Sequence, residues 1–120
     1  MKMSEEIKDL VEKMPFIPLV TQGKEGPHLV VMGKGFVMDD ETIGFFGWRQ
    51  SKTSENIKNN RVIQIALVSE KKNSGFRLAG SAHIETEGKI YDFLKERFPK
   101  QLGNLSFATV MKVEKVEPLL

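Results

Sequence analysis

The sequence predicts a mainly β domain with α elements: six antiparallel strands in a small barrel, closed or split, with helices packed at its ends. Three observations predict this. The elements run helix, three strands, helix, two strands, helix, strand. The turns among the first three strands are too short for the crossovers that parallel pairing needs. Strands that must cover both faces of their own sheet within 120 residues do so by curling into a barrel.

Each element has a local cause. Ser4 is placed as an N-cap, with Glu5 and Glu6 in the first turn. Ile7, Leu10, Val11 and Met14 follow at helical spacing until Pro15 stops the helix. Phe16 to Gln22 reads as a strand, with Pro18 placing its start at a sheet edge. Gly23-Lys24-Glu25-Gly26 is a turn, and His28 opens the next strand, which makes a hairpin. That second strand runs to about Met38 and is interrupted by Gly33-Lys34-Gly35. Glycines inside a strand weaken it unless the backbone bends or something approaches closely. Lys34 between them faces either water or a ligand.

Asp39-Asp40-Glu41 turns the chain into a third strand, Thr42 to Gly47. A helix follows from Ser51 to about Asn60, with Ile57 as its apolar anchor. Arg61 to Ser69 is rich in Val and Ile and reads as the fourth strand; Phe76 to Glu87 is the fifth. The small run Gly80-Ser81-Ala82 admits either another backbone, at a bulge, or a flat ring. A third helix is expected from Gly88 to about Leu102, bent or broken by Pro99 and ended by Gly103. Leu105 to Val116 closes the chain as a strand, with Phe107, Thr109, Met111 and Val113 on one face and Ala108, Val110, Lys112 and Glu114 on the other. No linker or repeat divides the chain, so residues 1–120 are read as one domain.

Composition narrows the function. Hydrophobic residues make up 40% and charged residues 28%, as in soluble globular domains. A formal net charge of +2 gives no argument for a nucleic-acid partner, and no apolar run approaches a membrane span. The N-terminus lacks an apolar signal core, so the cytoplasm is the expected location. The absence of cysteine excludes disulfides, thiolate nucleophiles and cysteine-held zinc or iron–sulfur sites. His28 and His83, the two histidines, provide no metal cluster, and neither has an evident acid or hydroxyl partner for general-base work.

The stretch from Phe45 to Asn56 carries the chemistry. It begins as an apolar strand and ends as the first turn of a helix, where free N–H groups and the helix dipole favour an anion. Ser51 and Thr53 add hydroxyls, Arg49 and Lys52 add charge, and Trp48 offers a flat apolar face. A phosphate seat beside an aromatic surface suits a nucleotide-like ligand. The same residues also fit an ordinary strand, turn and capped surface helix.

The array TQGKEGPHLVVMGKGF, then IGFFGWRQSKTSENI, then GFRLAGSAHIE resembles the FMN-binding split-barrel family. That family includes pyridoxamine 5′-phosphate oxidase; the likeness is strongest to its small FMN-binding members from sulfate-reducing bacteria, and it covers nearly the whole chain. The resemblance implies a six-stranded antiparallel Greek-key split barrel and a homodimer with FMN in the interface. It implies phosphate contacts from Ser51, Lys52 and Thr53, and a ring bordered by Phe46, Gly47, Trp48 and Gln50. Val31, Met32, Gly33 and Lys34 would face the ring, and Leu120 of the second subunit would complete the site.

There are departures. Leu29 stands where the oxidase pattern has an arginine, and residues up to Leu120 carry no counterpart of the oxidase's arginine- and histidine-rich tail, which is not expected here. Oxidation of pyridoxamine phosphate itself is therefore not expected. Gly33 and Asn104 replace two ring-packing tryptophans of the small FMN-binding members. The resemblance thus implies an FMN-dependent oxidoreductase or electron-transfer protein, with a nicotinamide donor or a redox partner protein and no catalytic side chain assigned. The alternative is a non-catalytic module that holds flavin, haem or a deazaflavin.

Overall fold

The computed structural model of the chain describes residues 2–47, 52–97 and 107–119. Its first helix, α1 (Glu5–Lys13), starts where the sequence places it: the Ser4 hydroxyl accepts the Ile7 N–H at 3.2 Å. Ile7 and Val11 are buried on its inner face, each such burial contributing about 1.5–3 kcal/mol. The hairpin of β1 (Ile17–Gly23) and β2 (Gly26–Met32) turns through Lys24-Glu25. Gly26 holds φ at 116°, which side-chained residues rarely adopt.

A second hairpin pairs β3 (Gly35–Asp39) with β4 (Thr42–Gly47). Then come α2 (Lys52–Asn59), β5 (Val62–Ser69), β6 (Ser74–Glu85), α3 (Lys89–Lys95) and β7 (Phe107–Pro118). The strand order across the sheet is β2-β1-β5-β6-β7-β4-β3, and every neighbouring pair is antiparallel.

The two edge strands, β2 and β3, are consecutive in the chain, and only Gly33-Lys34 lies between them. That link spans at most about 11 Å. The sheet must therefore curl until its edges meet, which gives the expected split barrel. The expected second strand is divided at this link, and its halves sit on opposite edges; this is why seven strands replace six.

Pro18 does not mark an edge, because β1 is an inner strand between β2 and β5. The β1–β5 ladder runs from Leu19↔Ile65 to Thr21↔Ile63 and stops short of Pro18, so its missing N–H forfeits no bond to β5. The small run on β6 receives a backbone, not a ring. A Cβ on Gly80 would lie 1.9 Å from the Lys112 carbonyl oxygen, at the register shift between Ala79 and Gly80.

Two apolar layers hold the sheet. Ile17, Leu19, Ile43, Phe45, Leu78 and Met111 fill the barrel interior with their neighbours. Leu94 of α3 packs on Phe46, Ala108 and Val110 of the outer surface. The first five residues of β7 are thus buried on both faces, and alternation sets in only from Lys112. The expected split of β7 into two faces holds in geometry, but α3 covers the second face at its start. Among the described residues, no helix is long and apolar enough to cross a membrane.

Candidate cofactor site

The site forms where the sheet edges close. Gly35 pairs with Phe45, which sets Lys34 and Gly33 beside Phe46 and Gly47, the next residues of β4. Val31 and Met32 lead to the same corner from β2. Val31 is exposed on the outer sheet face, and Met32 packs towards the barrel interior. A Cβ on Gly33 would meet nothing within 4 Å, so the corner is open there. Behind it Gly35 is tightly enclosed: its Cβ would lie 3.0 Å from the Phe45 ring and 3.2 Å from Val11 and Ile17.

Two of the expected ring contacts are engaged within the fold. The Lys34 ammonium donates to the main-chain carbonyl of Glu12 and lies 3.9 Å from its carboxylate. That carboxylate also accepts the Val37 N–H at 2.6 Å, so α1 clamps both sides of the corner. The Phe46 ring is buried, with its centroid 6.0 Å from that of Tyr91 on α3. The open part of the corner is therefore main chain at Gly33-Lys34.

The helix start lies nearby in the chain. Four residues separate Gly47 from Lys52, so the two are within about 18 Å of one another. Lys52 is exposed, whereas Thr53 and Ser54 are 5% and 2% exposed. The groups available to an anion here are the Lys52 ammonium and the first-turn N–H groups. Asn56 and Ile57, both buried, anchor α2 beneath them; the Asn56 Nδ2 donates to Thr21 Oγ1 at 3.0 Å.

Trp48, Gln50, Ser51 and Leu120 lie outside the described residues, as do Arg49 and Asn104. The residue before Leu120 is fixed: the Leu119 N–H donates to the Gly75 carbonyl at 2.8 Å. This is the far end of β7, a strand of 12 residues and so roughly 35–40 Å long. Leu119 thus lies at the opposite end of β7 from Phe107, the residue that pairs with Gly47.

The outer face of β2, β1 and β5 carries an apolar row. Leu29 pairs with Val20, and Val20 with Gln64, so Leu29 and Val31 share a face with Val62 and Val68. Their exposures are 71%, 62%, 53% and 44%.

One polar pair escaped the sequence reading. His83 Nε2 lies 2.7 Å from Glu85 Oε2, so His83 does have an acid partner. The available signal was His-x-Glu within a strand, which puts both side chains on one face. Among the described residues, no group of three or more His, Cys, Asp or Glu is placed to hold a metal ion.

The protein family described as pyridoxamine 5′-phosphate oxidase matches residues 3–118. No curated protein matches the sequence. Among solved structures, HupZ of Group A Streptococcus is similar with a TM-score of 0.86 and 27% identity, over 98% of this chain and 94% of its own. An FMN-binding protein from Syntrophomonas wolfei subsp. wolfei gives 0.78 and 21%, over 97% and 85%. An F420 reductase gives 0.74 and 18%, over 96% and 98%. The last two likenesses speak for the fold alone.

Proposed function

The chain belongs to the pyridoxamine 5′-phosphate oxidase family, and from that premise we propose that it is an FMN-binding flavoprotein, an oxidoreductase or electron-transfer protein working as a homodimer. The observation that carries the reading is the open main-chain corner at Gly33, with an exposed lysine at a helix start a short chain distance away. The donor set fits the group. Lys52 and the first-turn N–H groups would hold the phosphate, with Ser51 and Thr53 beside them. Gly33-Lys34 and Phe46-Gly47, with Trp48 and Gln50, would border the ring, and Val31 and Met32 would lead up to it.

The exposed row of Leu29, Val31, Val62 and Val68 supports a second copy of the chain as partner. Apolar side chains exposed on one sheet face leave water when a like face covers them. The same arrangement would let Leu120 of that copy reach the site. A bound flavin supplies redox chemistry, and the protein orients it and controls access. Electrons would come from a nicotinamide nucleotide or a partner protein. With Leu29 in the arginine position of the oxidase pattern, pyridoxamine phosphate is not the proposed substrate.

The test is the visible absorption spectrum of the purified protein, with release and identification of any chromophore. Oxidised-flavin bands and FMN on denaturation are expected, with bleaching by NADH, NADPH or a reduced partner protein. A colourless protein that takes up no added FMN would overturn the reading. A yellow protein that no donor reduces would leave a non-catalytic flavin carrier.

A further inference from the structure

A groove of about 170 Å3 runs between the β1–β2 turn and one flank of α2. It starts at Lys52, the lysine assigned above to the phosphate, so the inference rests on that reading. Glu55, Asn56 and Asn59 continue along the helix flank at helical spacing, and Lys24 and Glu25 face them from the turn. A cofactor tail that continued from that phosphate along this helix flank would enter the groove.

The charges on its walls are balanced, two lysines against two glutamates, and none of the four makes an ion pair among the described residues. A terminal phosphate adds a charge of about −1.5 to −2. The groove then becomes net negative, and a second anionic group pushed into it meets the carboxylates of Glu25 and Glu55. We propose that Glu25 and Glu55 set the length of the accepted cofactor: they admit a flavin that ends at one phosphate and repel one that continues as a diphosphate or an acidic tail. Selection here works by a repulsive element placed against the longer competitor.

Equilibrium binding of FMN, FAD and the deazaflavin F420, followed by flavin fluorescence, tests this on the intact protein. The native chain is expected to bind FMN at least tenfold more tightly than FAD or F420. Glu25→Gln combined with Glu55→Gln should narrow that ratio about three- to tenfold, the effect of two exposed charges. Added salt should narrow it in the native chain and not in the variant. Both glutamates are exposed, so the variant is expected to fold. An unchanged FMN:FAD ratio in the variant would overturn the inference while the flavin reading stands, and so would equal binding of all three cofactors by the native chain. Absence of any flavin binding would remove the functional reading and this inference with it.

Discussion

Asn56 and Thr21 share a buried hydrogen bond across 35 residues of sequence, Nδ2 to Oγ1 at 3.0 Å. It joins α2, which carries the proposed phosphate seat, to the inner strand β1. Asn56→Ala leaves the Thr21 hydroxyl without this partner in a dry place and should cost about 1–3 kcal/mol in urea unfolding. Thr21→Val together with Asn56→Leu should cost less than the sum of the single changes, because no polar atom is then left unpaired.

Gly80 and Gly33 predict opposite outcomes for one kind of change. Gly80→Ala sets a methyl 1.9 Å from the Lys112 carbonyl oxygen, a backbone atom that cannot swing aside. It should destabilise the fold by about 3 kcal/mol or more. Gly33→Ala enters open space and should change stability by less than about 1 kcal/mol. Thermal or denaturant melts of the two variants decide this.

Lys8 and Asp40 tie α1 to the β3–β4 turn. The Lys8 hydrogen bond and charge hold the Asp40 carboxyl below its ordinary pKa, and the same hydrogen bond raises that of Lys8. The stability that Asp40 contributes is thus present above the ordinary carboxylate pKa and lost as pH falls through its lowered value. The contribution of Lys8 is present below the ordinary lysine pKa and lost as pH rises through its raised value. In denaturant titrations, Asp40→Asn should reduce the acid-side loss of stability and leave a difference from the native chain that is flat between about pH 5 and pH 9.

The apolar row predicts an association surface. Leu29→Glu or Val31→Glu should leave secondary structure unchanged and weaken dimerisation by about tenfold or more in sedimentation. Dilution of the native protein should release FMN as the dimer dissociates. A monomer that keeps full FMN occupancy would contradict an interface site.

Lys52→Ala should weaken FMN binding by about tenfold while melting remains unchanged, since one exposed charge-assisted contact is lost. Changing Thr53 as well would confuse the result, because Thr53 is 5% exposed and its removal disturbs packing under α2.

Much of this fold was written in short-range signals. The Ser4 cap, the Pro15 stop and the two-glycine turn act within a few residues, so they are readable without knowing what lies opposite; the small run at Gly80 was open between a backbone and a ring until Lys112 was placed against it. The order of the quoted motifs was enough to place the chain in its family. The meaning of Gly33-Lys34-Gly35 was only half legible. A bend was readable, but its consequence, two strand halves on opposite edges of one sheet, depends on pairings with β1 and β4.

The candidate site was legible as residue types and not as contacts. Lys34 offered a cation to water or to a ligand by sequence. The fold instead gives it to Glu12, 22 residues earlier, because α1 docks under the corner. Thr53 reads as a hydroxyl of the phosphate seat and is 5% exposed, and His83 gained Glu85 once the strand face was known. Local conformational preference and motif order were enough for the helix starts, the tight turns and the family, but not for the break that makes seven strands of six. Tertiary structure decided which edges meet, which polar groups are already taken and which apolar face is left uncovered, because those follow from packing between segments far apart in the chain.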